Sequence, residues 1–166
     1  MSLTTADTAT LLENPIDVLE SLATHQNWPF DRSAEDELSL TVTGSWCDYE
    51  LSFTWRDDLN GLHLACAFDL KINAAKMADE QRLLARINEQ LWLGHFDIWQ
   101  DEGVVLFRHG LLLGTGDASP EQCEMLLSLA VEACERYYPA FQFVLWAGQS
   151  AEDAMAACMF ETQGSA

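Results

Sequence analysis

Leu38-Ser39-Leu40-Thr41-Val42, Tyr49-Glu50-Leu51-Ser52-Phe53-Thr54-Trp55 and Leu62-His63-Leu64-Ala65-Cys66-Ala67-Phe68 follow one another with only short spacers between them. In each stretch the large apolar residues stand at every second position. Successive side chains of an extended chain point to opposite faces, so the alternation predicts three strands, each with one buried and one solvated face. Thr43-Gly44-Ser45 and Asp58-Leu59-Asn60-Gly61 supply tight connections. The simplest arrangement is therefore an antiparallel meander. Its solvated face carries Ser39, Thr41, Glu50, Ser52, Thr54 and His63.

Helical patterns lie on both sides of this meander. Upstream, Asn14-Pro15 followed by Ile16, Leu19, Leu22 and Ala23 reads as a first helix ending near His25. Asn14 is its cap, Pro15 sits in its first turn and Asp17 lies near the positive end of its dipole. Asn27 to Phe30 is a non-helical link, because Pro29 biases Trp28 toward an extended conformation. Downstream, Leu83, Leu84, Ile87 and Leu91 give a second helix between Lys76 and Leu91.

A hairpin follows, from His95 through the turn Asp101-Glu102-Gly103 to about Leu113. The register that puts Phe96, Ile98, Val105 and Phe107 on one face separates core from surface best. Val104, Leu106 and Leu111 to Leu113 keep its second strand apolar on both sides, which predicts cover for the other face too. Ser119-Pro120-Glu121-Gln122 is a capping box that opens a third helix, and Cys123, Leu126, Leu127, Ala130, Cys134, Tyr137 and Tyr138 trace its buried face. Past Pro139, the Phe141 to Ala147 run reads equally as strand or helix. A last short helix runs from Ser150 to near Met159. One domain is expected over residues 14–160, between flexible segments at 1–13 and 161–166.

Composition narrows the function. A chain of 166 residues that is 49% apolar buries a full core without disulfides or metals. Eight Lys and Arg against 27 Asp and Glu leave a formal net charge of -19. Nucleic acid and anionic membrane surfaces repel such a chain, whereas basic protein partners suit it; simple solubility is the plainer reading of the same charge. Met1 to Glu13 has neither the basic start nor the apolar run of a secretory signal, so the expected location is cytoplasmic. Five cysteines, without a C-x-x-C pair, are expected as free thiols. Cys123 and Cys134 share a helix face but stand roughly 16 Å apart along it, too far to bridge or to share a metal.

Sites of chemistry are weakly signalled. Gly114-Thr115-Gly116-Asp117-Ala118-Ser119 mimics a dinucleotide fingerprint, but Ser119 replaces the third glycine and the helix starts only at Pro120. Asp117 would also face a pyrophosphate with the wrong charge. His25, His63, His95 and His109 are scattered, and the hairpin register puts His95 and His109 on opposite faces. No nucleophile motif is present, and Asp57-Asp58 and Asp101-Glu102 fall in turns. No catalytic, cofactor-binding or metal-ligating residue is therefore named. Four of the eight basic residues, Lys71, Lys76, Arg82 and Arg86, cluster around the second helix, where Asp79 and Glu89 are available to pair with them.

The stretches Leu91-Trp92-Leu93-Gly94-His95-Phe96-Asp97, Gly103-Val104-Val105-Leu106-Phe107-Arg108 and Cys134-Glu135-Arg136-Tyr137-Tyr138-Pro139-Ala140 resemble the YbjN family, bacterial proteins described as sensory transduction regulators. The resemblance runs from about Asn14 to Met159 and is densest from Leu91 to Gly148. It implies an α+β fold similar to type III secretion chaperones. That means a five-stranded antiparallel sheet in the order α-β-β-β-α-β-β-α, helices on one face, and commonly a homodimer; here a short C-terminal helix is added. The family has no catalytic residues to carry over.

The reading that follows is a non-enzymatic protein-binding module, regulatory or chaperone-like, without cofactor. The alternative is a small-ligand or nucleotide-binding domain using the Gly114–Ser119 loop. Val104, Leu106 and Leu112 are the candidate dimer seam, and Lys76, Arg82 and Arg86 the candidate cationic partner surface. Phe141, Phe143 and Trp146 offer a competing cover for the seam from within the same chain.

Overall fold

The computed structural model describes residues 13–163, with side chains to Met159. Of the flexible segments expected at 1–13 and 161–166, residues 1–12 and 164–166 lie outside the described residues, while residues 161–163 continue the last helix. Ten elements follow in order: α1 (Pro15–Gln26), β1 (Phe30–Ala34), β2 (Glu37–Thr43), β3 (Asp48–Arg56), β4 (Gly61–Lys71), α2 (Met77–Gln90), β5 (His95–Trp99), β6 (Val104–Leu112), α3 (Pro120–Ala147) and α4 (Ala151–Gln163). The strands form one antiparallel sheet in the order β1-β2-β3-β4-β6-β5. α1 lies against β1 to β3, α3 crosses β4 and β6, α2 packs beside β5, and α4 rests on α2 and α3.

The meander forms as its alternation requires. Leu40 stands opposite Leu51, which stands opposite Cys66, and every large residue of the three quoted apolar sets is buried. The hairpin register is also the expected one, with Phe96 opposite Phe107 and Ile98 opposite Val105. The sheet, however, has six strands and not five, since β1 precedes the meander at its edge. Phe30-Asp31-Arg32-Ser33-Ala34 has no apolar alternation because it buries no face, and every residue in it is exposed or half-exposed. Such a strand is held by backbone pairing, which leaves no mark in the side chains.

The third helix continues through Pro139 to Ala147, so the ambiguous Phe141 to Ala147 run is its last two turns. Proline in a helix interior removes the N–H that would bond the carbonyl four residues back. That carbonyl belongs to Glu135, and the Trp46 indole Nε1–H donates to it at 3.0 Å instead. Trp46 also stacks on Tyr138, with ring centroids 6.5 Å apart and planes at 13°. The connection between β2 and β3 thus repairs the helix that the proline interrupts. Phe141, far from covering the outer side of β6, points into the core against Phe68 and Phe96.

The core fills the space between the sheet and the helices. Phe68 meets Phe96, Tyr138 and Phe141 edge to face or tilted, with centroids 5.3–5.7 Å apart. The Cys134 thiol donates to Cys66 Sγ at 3.5 Å, joining α3 to β4. Burial and Cys66 together hold the Cys134 thiol well above its ordinary pKa.

Candidate functional site

A stripe along α3 interrupts this burial. Gln122, Met125, Leu129, Glu132, Ala133 and Arg136 recur at three- and four-residue intervals and so share one flank of the helix. The Leu91–Leu93 connection lies over the middle of the flank, dividing it into two grooves of about 300 and 180 Å³ that share Leu93 and Leu129 as walls. Trp92 is 94% exposed and Met125 71% exposed, with Leu93 half exposed between the grooves.

The connection that presents Trp92 is held at both ends. Asn88 Oδ1 accepts the Phe96 N–H at 2.8 Å, and Asn88 Nδ2 donates to the Phe96 carbonyl at 3.0 Å, which ties the end of α2 to the start of β5. Gly94 has φ +71°, and a Cβ there would stand 2.2 Å from Phe107 Cζ. Only glycine fits both the left-handed backbone and the closed space. His109 lines the smaller groove, its pKa lowered by burial and by His95. Arg136 lies over the Tyr137 ring at 5.3 Å and, with Glu132, lines the larger groove. Sequence reading used Trp92 only as part of a resemblance. An aromatic residue within an apolar run reads as core, and nothing local marks it as exposed.

The residues singled out from sequence fall on two separate surfaces. Val104, Leu106 and Leu112 occupy the sheet face away from the helices, while Lys76, Arg82 and Arg86 belong to α2 and the segment before it. Arg82 pairs with Asp79 at 2.9 Å, and Arg86 reaches Glu152 of α4 at 3.5 Å, so two of the three cations are already answered within the chain. Leu106 sits opposite Ala67 on one side and Asp97 on the other and is only 1% exposed in the single chain. Leu106 is thus already covered in the single chain, without a partner. Val104 is half-buried, and Leu112 is 79% exposed.

The Gly114–Ser119 loop spends its polar groups on itself and its neighbours. Asn60 Nδ2 donates to the Gly114 carbonyl, the Asp117 carboxylate accepts the Glu13 N–H at 2.8 Å, and Ser119 with Gln122 closes the capping box. Among the described residues no group of three His, Cys, Asp or Glu side chains is placed to hold a metal ion, and no helix is long and apolar enough to cross a membrane. One titratable group stands out inside the fold. Glu80 shares the inner face of α2 with Leu83 and Ile87, is fully buried, and has no hydrogen-bond partner for either oxygen among the described residues. Burial, aided by Asp79 and opposed by Lys76, pushes its pKa up to about 8.

Comparison with known proteins places this architecture. A crystal structure of YbjN, "a putative transcription regulator from E. coli", superposes with a TM-score of 0.52 at 14% identity, covering 72% of this chain and 85% of that one. A crystal structure of the ExsC–ExsE complex matches at a TM-score of 0.49 and 17% identity, over 76% of this chain and 94% of that chain. No curated protein matches the sequence. The family pattern described as "Putative bacterial sensory transduction regulator" matches residues 15–143, all of the fold from α1 into the last turns of α3, and the chain belongs to the YbjN family.

Proposed function

We propose that this chain is a bacterial, cytoplasmic regulator that acts by binding another protein through the α3 stripe and the Leu91–Leu93 connection, and that it carries no chemistry of its own. The observation behind the reading is Trp92, 94% exposed on a connection held rigid by Asn88 and Gly94. An aromatic side chain carries on the order of 200 Å² of contact surface, and tryptophans of this kind dominate protein interfaces. A rigid mount lowers the entropic cost of docking against it. The net charge of -19 favours a partner segment that is basic as well as apolar. The chaperone-like side of the reading rests on the sequence resemblance, as does a homodimer, whose seam would draw on Leu112 and Val104.

Affinity capture from a bacterial cytoplasm with the wild type and with Trp92→Ala tests this. Because Trp92 touches little of its own fold, the variant is expected to melt as the wild type does while losing the captured partner at least tenfold. Equal capture by Trp92→Ala and by Met125→Ala would remove this surface from the function.

A further inference from the structure

The sheet face away from the helices carries a second depression, and two glycines make it. Gly61 on β4 stands opposite Leu112, and Gly110 on β6 stands opposite His63. Neither has the positive φ that would require glycine for backbone reasons. Glycine within a strand weakens it, and frequently marks a place where something else approaches the backbone closely. Over these two positions opens a groove of about 520 Å³, within the range of small-molecule sites.

The chemistry of its lining runs against the rest of the molecule. In a chain of net charge -19, the groove is lined by Arg56, Arg108 and His63 and by no Asp or Glu. Leu59 and Leu112, both largely exposed, form its apolar walls. Arg56 gives Nε and Nη2 to Asp58 at 3.1 and 2.6 Å, and Arg108 gives Nη1 to Asp97 at 3.3 Å and Nε to His63 Nε2 at 3.3 Å. Nη1 of Arg56 and Nη2 of Arg108 therefore keep N–H donors without an acceptor among the described residues. Guanidinium donors match the planar carboxylate, and two of them in a mostly apolar groove suit one small anionic head on an apolar body. A peptide main chain finds no strand edge here, since β3, β4 and β6 are each paired on both sides.

We propose that this groove binds a free, small amphiphilic carboxylate, its apolar body against Leu59 and Leu112 and its head between Arg56 and Arg108. His63 reports on occupancy. Accepting from Arg108 at Nε2 requires that nitrogen to be unprotonated, and burial, Arg108 and His95 together lower its pKa. A bound carboxylate offsets the Arg108 charge and so raises the pKa, and affinity then grows as pH falls through the His63 titration.

The test is titration calorimetry of the full chain with 2-naphthoate, its neutral counterpart 2-naphthol and inorganic phosphate, with the mass checked by light scattering. 2-Naphthoate is expected to bind saturably and at least tenfold more tightly than either control. Its binding should fall at least tenfold in Gly110→Val, which fills the floor; a Cβ at Gly110 meets only the Leu62 carbonyl at 3.7 Å, so the fold is expected to tolerate it. Arg108→Gln should weaken binding similarly and serves alone if Gly110→Val fails to fold. The His63 imidazole resonance should titrate at higher pH with 2-naphthoate present, and Trp92→Ala should bind it normally. The proposal is overturned if 2-naphthoate fails to bind at millimolar concentration, if both variants bind it like the wild type, or if 2-naphthol binds equally well. It is also overturned if a peptide with a free C-terminal carboxylate binds the groove more tightly.

Discussion

Glu80 concentrates the physics of a single residue in this fold. Its side chain takes a position on α2 that Leu83 and Ile87 mark as core, with no donor among the described residues to meet either oxygen. The folded pKa of about 8 lies above the ordinary 4.5, so the native state holds a proton that the unfolded chain releases. The contribution of Glu80 to stability is therefore expected to fall as pH rises from about 4.5 to about 8 and to level off beyond. Glu80→Met removes both the unpaired group and its titration. Urea unfolding should show the variant more stable by at least about 1 kcal/mol at pH 8, and by less at pH 5. An equal difference at the two pH values would mean that Glu80 finds a partner in solution.

Among the elements, α3 departs furthest from local expectation. A helix of 28 residues with proline in its interior survives because the Glu135 carbonyl is met by the Trp46 indole. Trp46→Phe keeps the ring against Tyr138 and deletes that donor, and thermal unfolding should register a loss of about 1–2 kcal/mol. Pro139→Ala restores the backbone N–H, so Trp46→Phe should cost less in that background. A double-mutant cycle with no coupling would separate the indole from the proline. β1 shows the opposite case, an element with no side-chain signature, placed at the edge because β2 offers it a free row of backbone groups.

For the whole molecule the two faces of the sheet set what can associate. Leu106 is closed off within the chain while Leu112 is open, although both belong to the same side of β6. Leu106→Asp buries an unpaired charge and is expected to destabilise the monomer by more than about 3 kcal/mol, whatever the assembly state. Leu112→Asp is expected to leave unfolding within about 0.5 kcal/mol of the wild type. If the homodimer uses this face, light scattering should find the wild type doubled in mass and Leu112→Asp halved. A doubled Leu112→Asp would put any dimer seam elsewhere.

The meander, the hairpin register, α1 with its Asn14 cap, α2, and the capping box of α3 were all legible in the sequence, because each rests on side-chain periodicity or on cap chemistry spanning a few neighbours. The sixth strand, the passage of α3 through Pro139, the Cys66–Cys134 contact, the exposure of Trp92 and the groove over Gly61 and Gly110 were decided by tertiary structure. Each of these depends on groups far apart in the chain. An isolated tryptophan, glycine or proline carries the same local propensity whether its neighbour across the fold covers it, leaves it open or supplies the hydrogen bond it lacks.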